Sequence, residues 1–345
     1  MRLDQEEMLA AEMNTIQDSR RPPVKPRVVV ALGRNALIRR GERADVDIQR
    51  RNVEQATEPL AALAEDYDLV ITHGNGPQVG LLALQGEAYK AVSPYPLDVL
   101  GAETQGMIGY LLEQSLGNLL PQRAFATLLT QVIVDPQDPA FADPSKFVGP
   151  IYGKAEASEL TNSRGWVVKR DGDAFRRVVA SPEPMRIVEI STISRLVNDG
   201  VIVICSGGGG IPVVERQDIL HGVEAVVDKD LSAALLASEL DADALLLLTD
   251  VTGIQRGFGS KGATKIDHAT PSVLRGLSLP AGSMGPKAEA ACRFVGRTRR
   301  RAAIGALQDA VEIAQGLAGT QVTLDEASVT SGPRKTTTSH ESLRG

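Results

Sequence analysis

Three apolar runs in this 345-residue chain end directly in glycine-bearing turns. The runs and their turns are residues 28–32 with Gly33, residues 69–72 with residues 73–77, and residues 201–205 with Gly207 to Gly210. Because glycine has no Cβ, its backbone N–H groups can approach an anion closely. Parallel strands end at a common edge of their sheet, so the three turns together predict a phosphate-handling cleft at that edge.

Short β-branched runs alternate with longer amphipathic stretches from Arg27 onward, which indicates βα units and a parallel sheet. Strands are predicted at 28–32, 68–72, 126–134, 201–205 and 244–248. Helices are predicted at 47–64, 77–91, 98–119, 187–198 and 230–240, where apolar residues recur at three-to-four spacing. The fold class expected from this pattern is α/β.

The chain divides into an N-terminal arm or linker at 1–26, one domain at 27–322 and a tail at 323–345 that is expected to be disordered. Residues 135–186 interrupt the domain with several prolines and a hairpin signal at Asp171-Gly172. This stretch predicts a small β-rich insertion that protrudes from the sheet. Long insertions in compact domains are more often lids or binding elements than decoration.

The bulk composition excludes several classes of function. The net charge of −6 supplies no basic field for nucleic acid or an anionic membrane. The sequence contains no run of 18 apolar residues, and its acidic first residues lead us to expect no signal sequence. Cys205 and Cys292 are expected to be reduced thiols, so we expect a cytoplasmic protein. From the charge and the missing apolar run we expect neither a nucleic-acid nor a membrane partner.

The residues available for chemistry are lysines, an aspartate and backbone amides. The P-loop, Rossmann, protein-kinase and zinc signatures are all missing from the sequence. Lys229 with Asp230 and Lys287 each lie at a predicted helix entry, and Lys146 lies in the insertion. This inventory suits phosphoryl transfer, in which the protein positions two substrates and neutralises charge. The alternative interpretations are solvated surface lysines and an N-cap role for Asp230.

Four further residues have a functional and a plain interpretation. The strand 244–248 runs into Thr249 and Asp250, which form either an N-cap or part of a nucleotide-binding loop. His73 is expected to hydrogen-bond within its own turn rather than act as a general base. Trp166, the only tryptophan, is expected to be a packing residue.

With these residues collected, the chain resembles the carbamate kinases of the amino acid kinase superfamily. The matching segments, in family order, are 31–37 (ALGRNAL), 73–82 (HGNGPQVGLL), 96–110, 130–135, 138–141, 181–184, 207–214 (GGGGIPVV), 222–230 (GVEAVVDKD), 248–251 and 282–287 (GSMGPK). The resemblance implies an open αβα sandwich around a mainly parallel sheet, a homodimer, and reversible phosphoryl transfer linking ATP and carbamate to ADP and carbamoyl phosphate with Mg²⁺.

The resemblance also assigns roles to individual residues of this chain. Lys146, Lys229 and Lys287 resemble the phosphate-stabilising lysines, and Asp230 resembles their organiser. The implied carbamoyl phosphate cradle consists of Gly33, Asn35, Gly74, Asn75, Gly76, Gly207, Gly208, Gly209 and Gly210. The implied nucleotide side consists of Thr249, Asp250, Met284 and Pro286. No residue is expected to be a dedicated metal ligand. The implied role is ATP synthesis during the breakdown of carbamoyl phosphate, as in arginine catabolism.

One departure from the family pattern touches the implied chemistry. Arg34 stands where the family has a second glycine in the first turn. Its guanidinium either fills the carbamoyl pocket and weakens activity, which we favour, or acts as an extra phosphate donor. Two alternatives to the carbamate kinase hypothesis stay open, the first of them motivated by this departure and by the unusual termini. These are a catalytically weakened sensor or partner subunit, and a kinase for another small carboxylate or phosphonate.

Overall fold

A computed structural model describes residues 25–33, 37–39, 42, 45–89, 93–260, 262–280 and 282–324. Its helices are α1 (Val46–Asp66), α2 (Gly76–Ala88), α3 (Leu97–Leu119), α4 (Lys154–Arg164), α5 (Ile190–Asn198), α6 (Lys229–Glu239), α7 (Pro271–Arg275), α8 (Met284–Thr298) and α9 (Ala310–Ala314). Its strands are β1 (Arg27–Leu32), β2 (Asp68–His73), β3 (Phe125–Thr127), β4 (Gln131–Val134), β5 (Lys146–Tyr152), β6 (Val168–Asp171), β7 (Ala174–Val179), β8 (Pro184–Ile187), β9 (Ile202–Ile204), β10 (Ile211–Arg216), β11 (Ile219–Gly222), β12 (Ala244–Thr249), β13 (Gln255–Arg256), β14 (Thr264–Lys265), β15 (His268–Ala269), β16 (Arg301–Ala306) and β17 (Thr320–Val322).

An eight-stranded sheet forms the centre of the molecule, with the strand order β15-β17-β16-β12-β1-β2-β9-β3. Six consecutive strands of this sheet run parallel to one another, namely β16, β12, β1, β2, β9 and β3. Strand β17 runs antiparallel to β16. Because the central strands are parallel, β12, β1, β2 and β9 all end at one edge. This edge is where the sequence predicts the cleft.

Helices cover both faces of this sheet, and the alternation along β1 shows how. Val29 and Ala31 point into a core built with α5, α6 and α8. Val28 and Val30 point into a second core built with α1, α3 and α9. Strands that are buried on both faces are typical of parallel sheets between helical layers. The predicted αβα sandwich around a mainly parallel sheet is therefore confirmed.

The strand predicted at 126–134 is wrong as one element, because it consists of two strands in different sheets. The first, β3, is the edge strand of the large sheet, whereas β4 pairs with β10 and β8 in a four-stranded sheet ordered β11-β10-β4-β8. The backbone N–H of Leu128 still donates to Ile204 (2.9 Å), but the carbonyl of Thr130 accepts from Ile211 (2.8 Å). The chain thus changes hydrogen-bonding partner between Leu128 and Thr130 while remaining extended and apolar, a change that periodicity does not reveal.

Two helix boundaries also differ from the prediction. The helix expected at 187–198 begins at Ile190, because Ile187 is still the last residue of β8. The helix expected at 77–91 ends at Ala88, with Tyr89 extended after it. The other predicted strands and helices of the large domain lie within two residues of their expected bounds.

The insertion forms a sheet of its own from three antiparallel strands in the order β5-β7-β6. The predicted hairpin turn joins β6 to β7, and Gly172 has the positive φ of 65° that this turn needs. The charged stretch within the insertion forms α4, which ends at Gly165 in the left-handed conformation. The predicted β-rich subdomain therefore also carries one helix.

The predicted arm at 1–26 and tail at 323–345 lie outside the described residues except for Lys25, Pro26, Thr323 and Leu324. None of the helices in the described part of the chain has the length and apolar content that a bilayer-spanning helix requires.

Candidate active site

Two of the predicted glycine turns begin at neighbouring strand ends. The backbone N–H of Gly33 donates to the carbonyl of Leu248 at the end of β12 (2.8 Å). The N–H of Gly74 donates to the carbonyl of Leu32 at the end of β1 (3.2 Å). Each turn is therefore hydrogen-bonded to the neighbouring strand. Gly76 opens α2, so the positive end of that helix lies at the same edge.

The four-glycine loop packs directly against the second turn and the start of α6. Gly208 and Gly209 have φ values of 68° and 101°, which side-chain-bearing residues rarely adopt. A Cβ on Gly208 would lie 2.1 Å from Nδ2 of Asn75, and one on Gly209 would lie 2.4 Å from the carbonyl oxygen of Val227. The loop reaches its position because it carries no side chains there.

Asn75 and His73 stiffen the second turn. The Asn75 amide donates to the hydroxyl of Thr104 in α3 (2.8 Å). Nδ1 of His73 lies 3.2 Å from the carbonyl oxygen of Gly74, and burial lowers the His73 pKa to about 4. The imidazole is therefore neutral near pH 7. This geometry agrees with the predicted hydrogen bond within the turn.

A buried carboxylate joins two of the predicted lysines. Oδ1 of Asp230 accepts from Nζ of Lys229 at 2.6 Å, and Oδ2 accepts from Nζ of Lys287 at 2.9 Å. Asp230 is 5% exposed and Lys287 is 7% exposed, so neither is a solvated surface charge. The ion pair between Asp230 and Lys287 joins two helices, because Asp230 lies in the first turn of α6 and Lys287 lies near the start of α8.

The pKa values of Asp230 and Lys229 are both lowered, which favours the charged form of the aspartate and disfavours the charged form of the lysine. Burial raises the pKa of Asp230, but the ammonium groups of Lys229 and Lys287 outweigh it and hold the pKa far below its ordinary value. Burial lowers the pKa of Lys229 to about 8, with the charge of Lys287 adding to the shift and Asp230 opposing it. Lys229 is therefore a cation that needs a further anion nearby to stay fully charged above pH 8.

Lys146 of the insertion reaches the same helix terminus through Asp228, a residue that the sequence analysis did not single out. Nζ of Lys146 lies 2.5 Å from Oδ2 of Asp228. Oδ1 of Asp228 accepts from the backbone N–H groups of Asp230 (2.9 Å) and Leu231 (3.3 Å). Asp228 is therefore the N-cap of α6, and the N-cap interpretation of Asp230 is wrong. An aspartate just before a helical run is the sequence signal that could have found it.

The residues assigned to the nucleotide side lie at two neighbouring parts of this edge. Thr249 ends β12, beside Gly33, and its hydroxyl donates to the carboxylate of Asp250 (3.1 Å). The N-cap interpretation of this pair is wrong, because β13 follows and not a helix. Met284 and Pro286 lie in the first turn of α8, just before Lys287. Arg34 and Asn35 lie outside the described residues.

The ion pairs at the start of α6 leave a surplus of positive charge. Three ammonium groups face two carboxylates, and the N-termini of α2, α6 and α8 lie beside glycine turns. Among the described residues, no group of three or more His, Cys, Asp or Glu side chains could hold a metal ion. Ammonium groups and helix N-termini in such an arrangement can stabilise negative charge on a ligand.

Comparison with known proteins identifies the class to which this fold and site belong. A model of the amino acid kinase family matches residues 26–306. The chain is therefore a member of the amino acid kinase family. Its relatives include phosphotransferases.

Individual relatives show to which group within this family the chain belongs. The carbamate kinase of Rhizobium meliloti (strain 1021) is 53% identical over 308 residues, which is 88% of this chain and 95% of the relative. That of Escherichia coli (strain K12) is 50% identical and covers 86% and 99% of the two chains. The solved structure of carbamate kinase from Giardia lamblia bound to AMP-PNP aligns with a TM-score of 0.81 at 38% identity, covering 87% and 99%. Within the amino acid kinases, the chain belongs to the carbamate kinase family.

The close packing of the four-glycine loop predicts a large penalty for a single methyl group. We expect Gly209→Ala to lower the free energy of unfolding by roughly 2–4 kcal/mol, because it adds a left-handed alanine and a clash with Val227. Gly101→Ala in α3 is the matched control, since no atom lies within 4 Å of the added Cβ. Urea unfolding of both variants measures the difference. Equal stabilities would show that the loop can move away from Val227.

Proposed function

We propose that this chain catalyses the reversible transfer of a phosphoryl group between ATP and carbamate, forming ADP and carbamoyl phosphate. The observation that supports it most directly is the Lys229–Asp230–Lys287 triad at the start of α6, against which the four-glycine loop packs. Phosphoryl transfer needs charge neutralisation and positioning more than covalent chemistry, and this site offers both. The named relatives support the choice of carbamate as the acceptor.

Each part of the site has a role in the proposed mechanism. The N–H groups of the turns at Gly33, Gly74 and the four-glycine loop bind the carbamoyl phosphate oxygens. Lys229 and Lys287 stabilise the charge that develops on the transferred group, and Asp230 holds both ammonium groups in position. Thr249 with Asp250 at the end of β12, and Met284 with Pro286 at the start of α8, contact the nucleotide. Lys146 contacts the phosphoryl group from the insertion.

Mg²⁺ belongs to the proposed reaction as the partner of the nucleotide. The carboxylate of Asp230 is engaged by two ammonium groups, so it is not free to serve as a metal ligand in this arrangement. Mg²⁺ is commonly bound through substrate phosphates, a few carboxylates and retained waters. We infer that Mg²⁺ bound to ATP or ADP would supply charge neutralisation for the nucleotide phosphates, while the lysines serve the transferred group.

Assembly, location and direction are further parts of the proposal. A homodimer is supported by Met107, Tyr110 and Leu119, which are exposed on α3 beside the edge strand β3. A cytoplasmic location is supported by two buried free thiols, Cys205 and Cys292. ATP formation is the direction we propose. The alternatives of a silent sensor and of a kinase for another acid are not favoured, because the triad is complete and the relatives are carbamate kinases.

The decisive test is coupled ATP production from carbamoyl phosphate, ADP and Mg²⁺. We expect turnover by the parent protein and a loss of about 10²-fold or more in Lys287→Ala, since removing one transition-state charge stabiliser commonly has this effect. Lys154→Ala, at the exposed start of α4, is the control and should keep the parental rate. A folded parent protein without turnover would contradict the proposed function. A Lys287→Ala variant with the parental rate would remove that lysine from the mechanism.

The lowered pKa of Lys229 predicts an alkaline limit to activity. Raising the pH through about 8 removes its proton in the free protein, so kcat/KM for carbamoyl phosphate should fall by roughly tenfold per pH unit above that value. Lys229→Arg keeps a cation throughout this range, so its slower reaction should lack the limb. Profiles of kcat/KM from pH 6 to 10 measure both. The same alkaline limb in the arginine variant would assign it to another group.

Trp166 offers a signal for movement of the insertion. Its ring lies under the guanidinium of Arg177 (4.3 Å), and Arg177 in turn bonds Glu224 of the body at 2.8 Å. We expect carbamoyl phosphate to change the tryptophan fluorescence, because Lys146 must exchange Asp228 for the phosphoryl group. The change should be absent or much weaker in Lys146→Ala. Lys169→Ala, an insertion lysine paired with Asp143, is the control. Identical responses in all three proteins would exclude Lys146 from ligand-linked movement.

A further inference from the structure

Ser206 has an unusual backbone conformation at the start of the four-glycine loop. Its φ of 53° and ψ of 30° place it in the left-handed region, and it is fully buried. A residue with a Cβ is less stable in this conformation than glycine by about 1–2 kcal/mol. The next four residues are glycines, yet the first residue of the turn carries a side chain. Conformation alone would favour a fifth glycine.

Hydrogen bonds between Ser206 and three buried hydroxyl groups hold it in this state. Its N–H donates to Oγ1 of Thr130 (2.9 Å), and its carbonyl accepts from Oγ1 of Thr72 (2.8 Å). Its own hydroxyl lies 2.8 Å from the hydroxyl of Ser232. All four residues have no exposed surface. Hydrogen bonds in such a dry environment are strong and directional, so they can maintain a strained backbone.

The three partners come from the parts of the structure that form the site. Thr72 lies in β2, just before the second glycine turn, and Thr130 lies between β3 and β4, before the insertion. Ser232 is the fourth residue of α6, one turn from Lys229 and Asp230. Ser206 is therefore the point at which the four-glycine loop is hydrogen-bonded to β2, to the segment leading to the insertion, and to the helix that carries the triad.

We propose that Ser206 is a positioning residue whose hydroxyl sets the distance between the N–H groups of Gly207 to Gly210 and the ammonium group of Lys229 on α6. The inference rests on the proposed phosphoryl transfer, because that reaction requires both sets of donors to meet one phosphoryl group. A displacement of 1 Å in such a site can reduce the rate about 10²-fold. The Ser206–Ser232 hydrogen bond joins the loop to α6 through two side chains, in addition to the packing of Gly209 against Val227.

Ser206→Gly separates positioning from stability. Glycine relieves the left-handed strain, so the melting temperature should stay within a few degrees of the parent value. We expect kcat for ATP formation to fall about tenfold or more, with the KM for ADP changed less than about twofold. Ser206→Ala, which keeps the strain and loses only the hydroxyl, should show the same fall. Ser238→Ala is the control, because that hydroxyl bonds the α6 backbone at Ala234 and should not affect kcat.

A double-mutant cycle with Ser232→Ala tests the link itself. If the two hydroxyls act as one link, the double variant should be no slower than either single variant. Additive losses would overturn the proposal, as would parental kcat in Ser206→Gly and Ser206→Ala. Thr130→Val should also reduce kcat, and Thr130→Ser should restore it, since serine supplies the same acceptor to the Ser206 N–H.

Hydrogen exchange distinguishes this inference from the proposed function. Exchange at residues 206–211 should accelerate in Ser206→Gly whether or not the parent protein makes ATP, while exchange in β12 stays unchanged. A parent protein without turnover would overturn the proposed function alone. Unchanged exchange at 206–211 together with parental kcat would overturn the positioning role alone.

Discussion

The position of the site depends most on the carboxylate of Asp230, because it lies between two ammonium groups that would otherwise repel each other. Both lysines are mostly buried, so each loses hydration and needs a partner within hydrogen-bond distance. Removing the carboxylate would leave both ammonium groups buried without their anion, and breaking a buried ion pair in this way typically costs about 3–5 kcal/mol. The triad therefore fixes α6 against α8 and presents two cations at the edge where the glycine turns end. The protein as a whole carries a net charge of −6, so its attraction for phosphate comes from this local arrangement.

Much of the fold and part of the site follow from signals that are local in the sequence. A β-branched run followed by glycine marks the carboxyl end of a parallel strand, and three such ends must share an edge if the strands share a sheet. Lys229 and Lys287 could be selected because each lies at a helix entry, where an anion is also favoured. What these signals cannot give is the order of strands. The adjacency of β12, β1, β2 and β9, which brings Thr249 beside Gly33, depends on packing between helical layers.

The features that sequence reasoning missed are contacts between distant side chains. Lys146 and Asp228 are separated by 82 residues, and Ser206 and Thr130 by 76. Neither pair has a spacing that periodicity can detect. The division of 126–134 into two strands has the same origin, since Thr130 leaves the large sheet to bond Ile211 and Ser206. In each case a short segment has acceptable local structure in two alternatives, and the tertiary partner decides between them.

The ion pair between Lys146 and Asp228 has the properties that a reversible contact of the insertion needs. Lys146 remains 35% exposed, and a partly hydrated pair of this kind contributes only about 0–1 kcal/mol. Asp228 keeps its two backbone N–H partners at the start of α6 when Lys146 leaves, so release of the lysine does not leave the carboxylate without hydrogen bonds. In the proposed reaction a phosphoryl dianion offers Lys146 an alternative partner of the same charge sign. The lysine can therefore exchange between an internal carboxylate and a phosphate in each turnover, while the N-terminal turn of α6 and the triad stay in place.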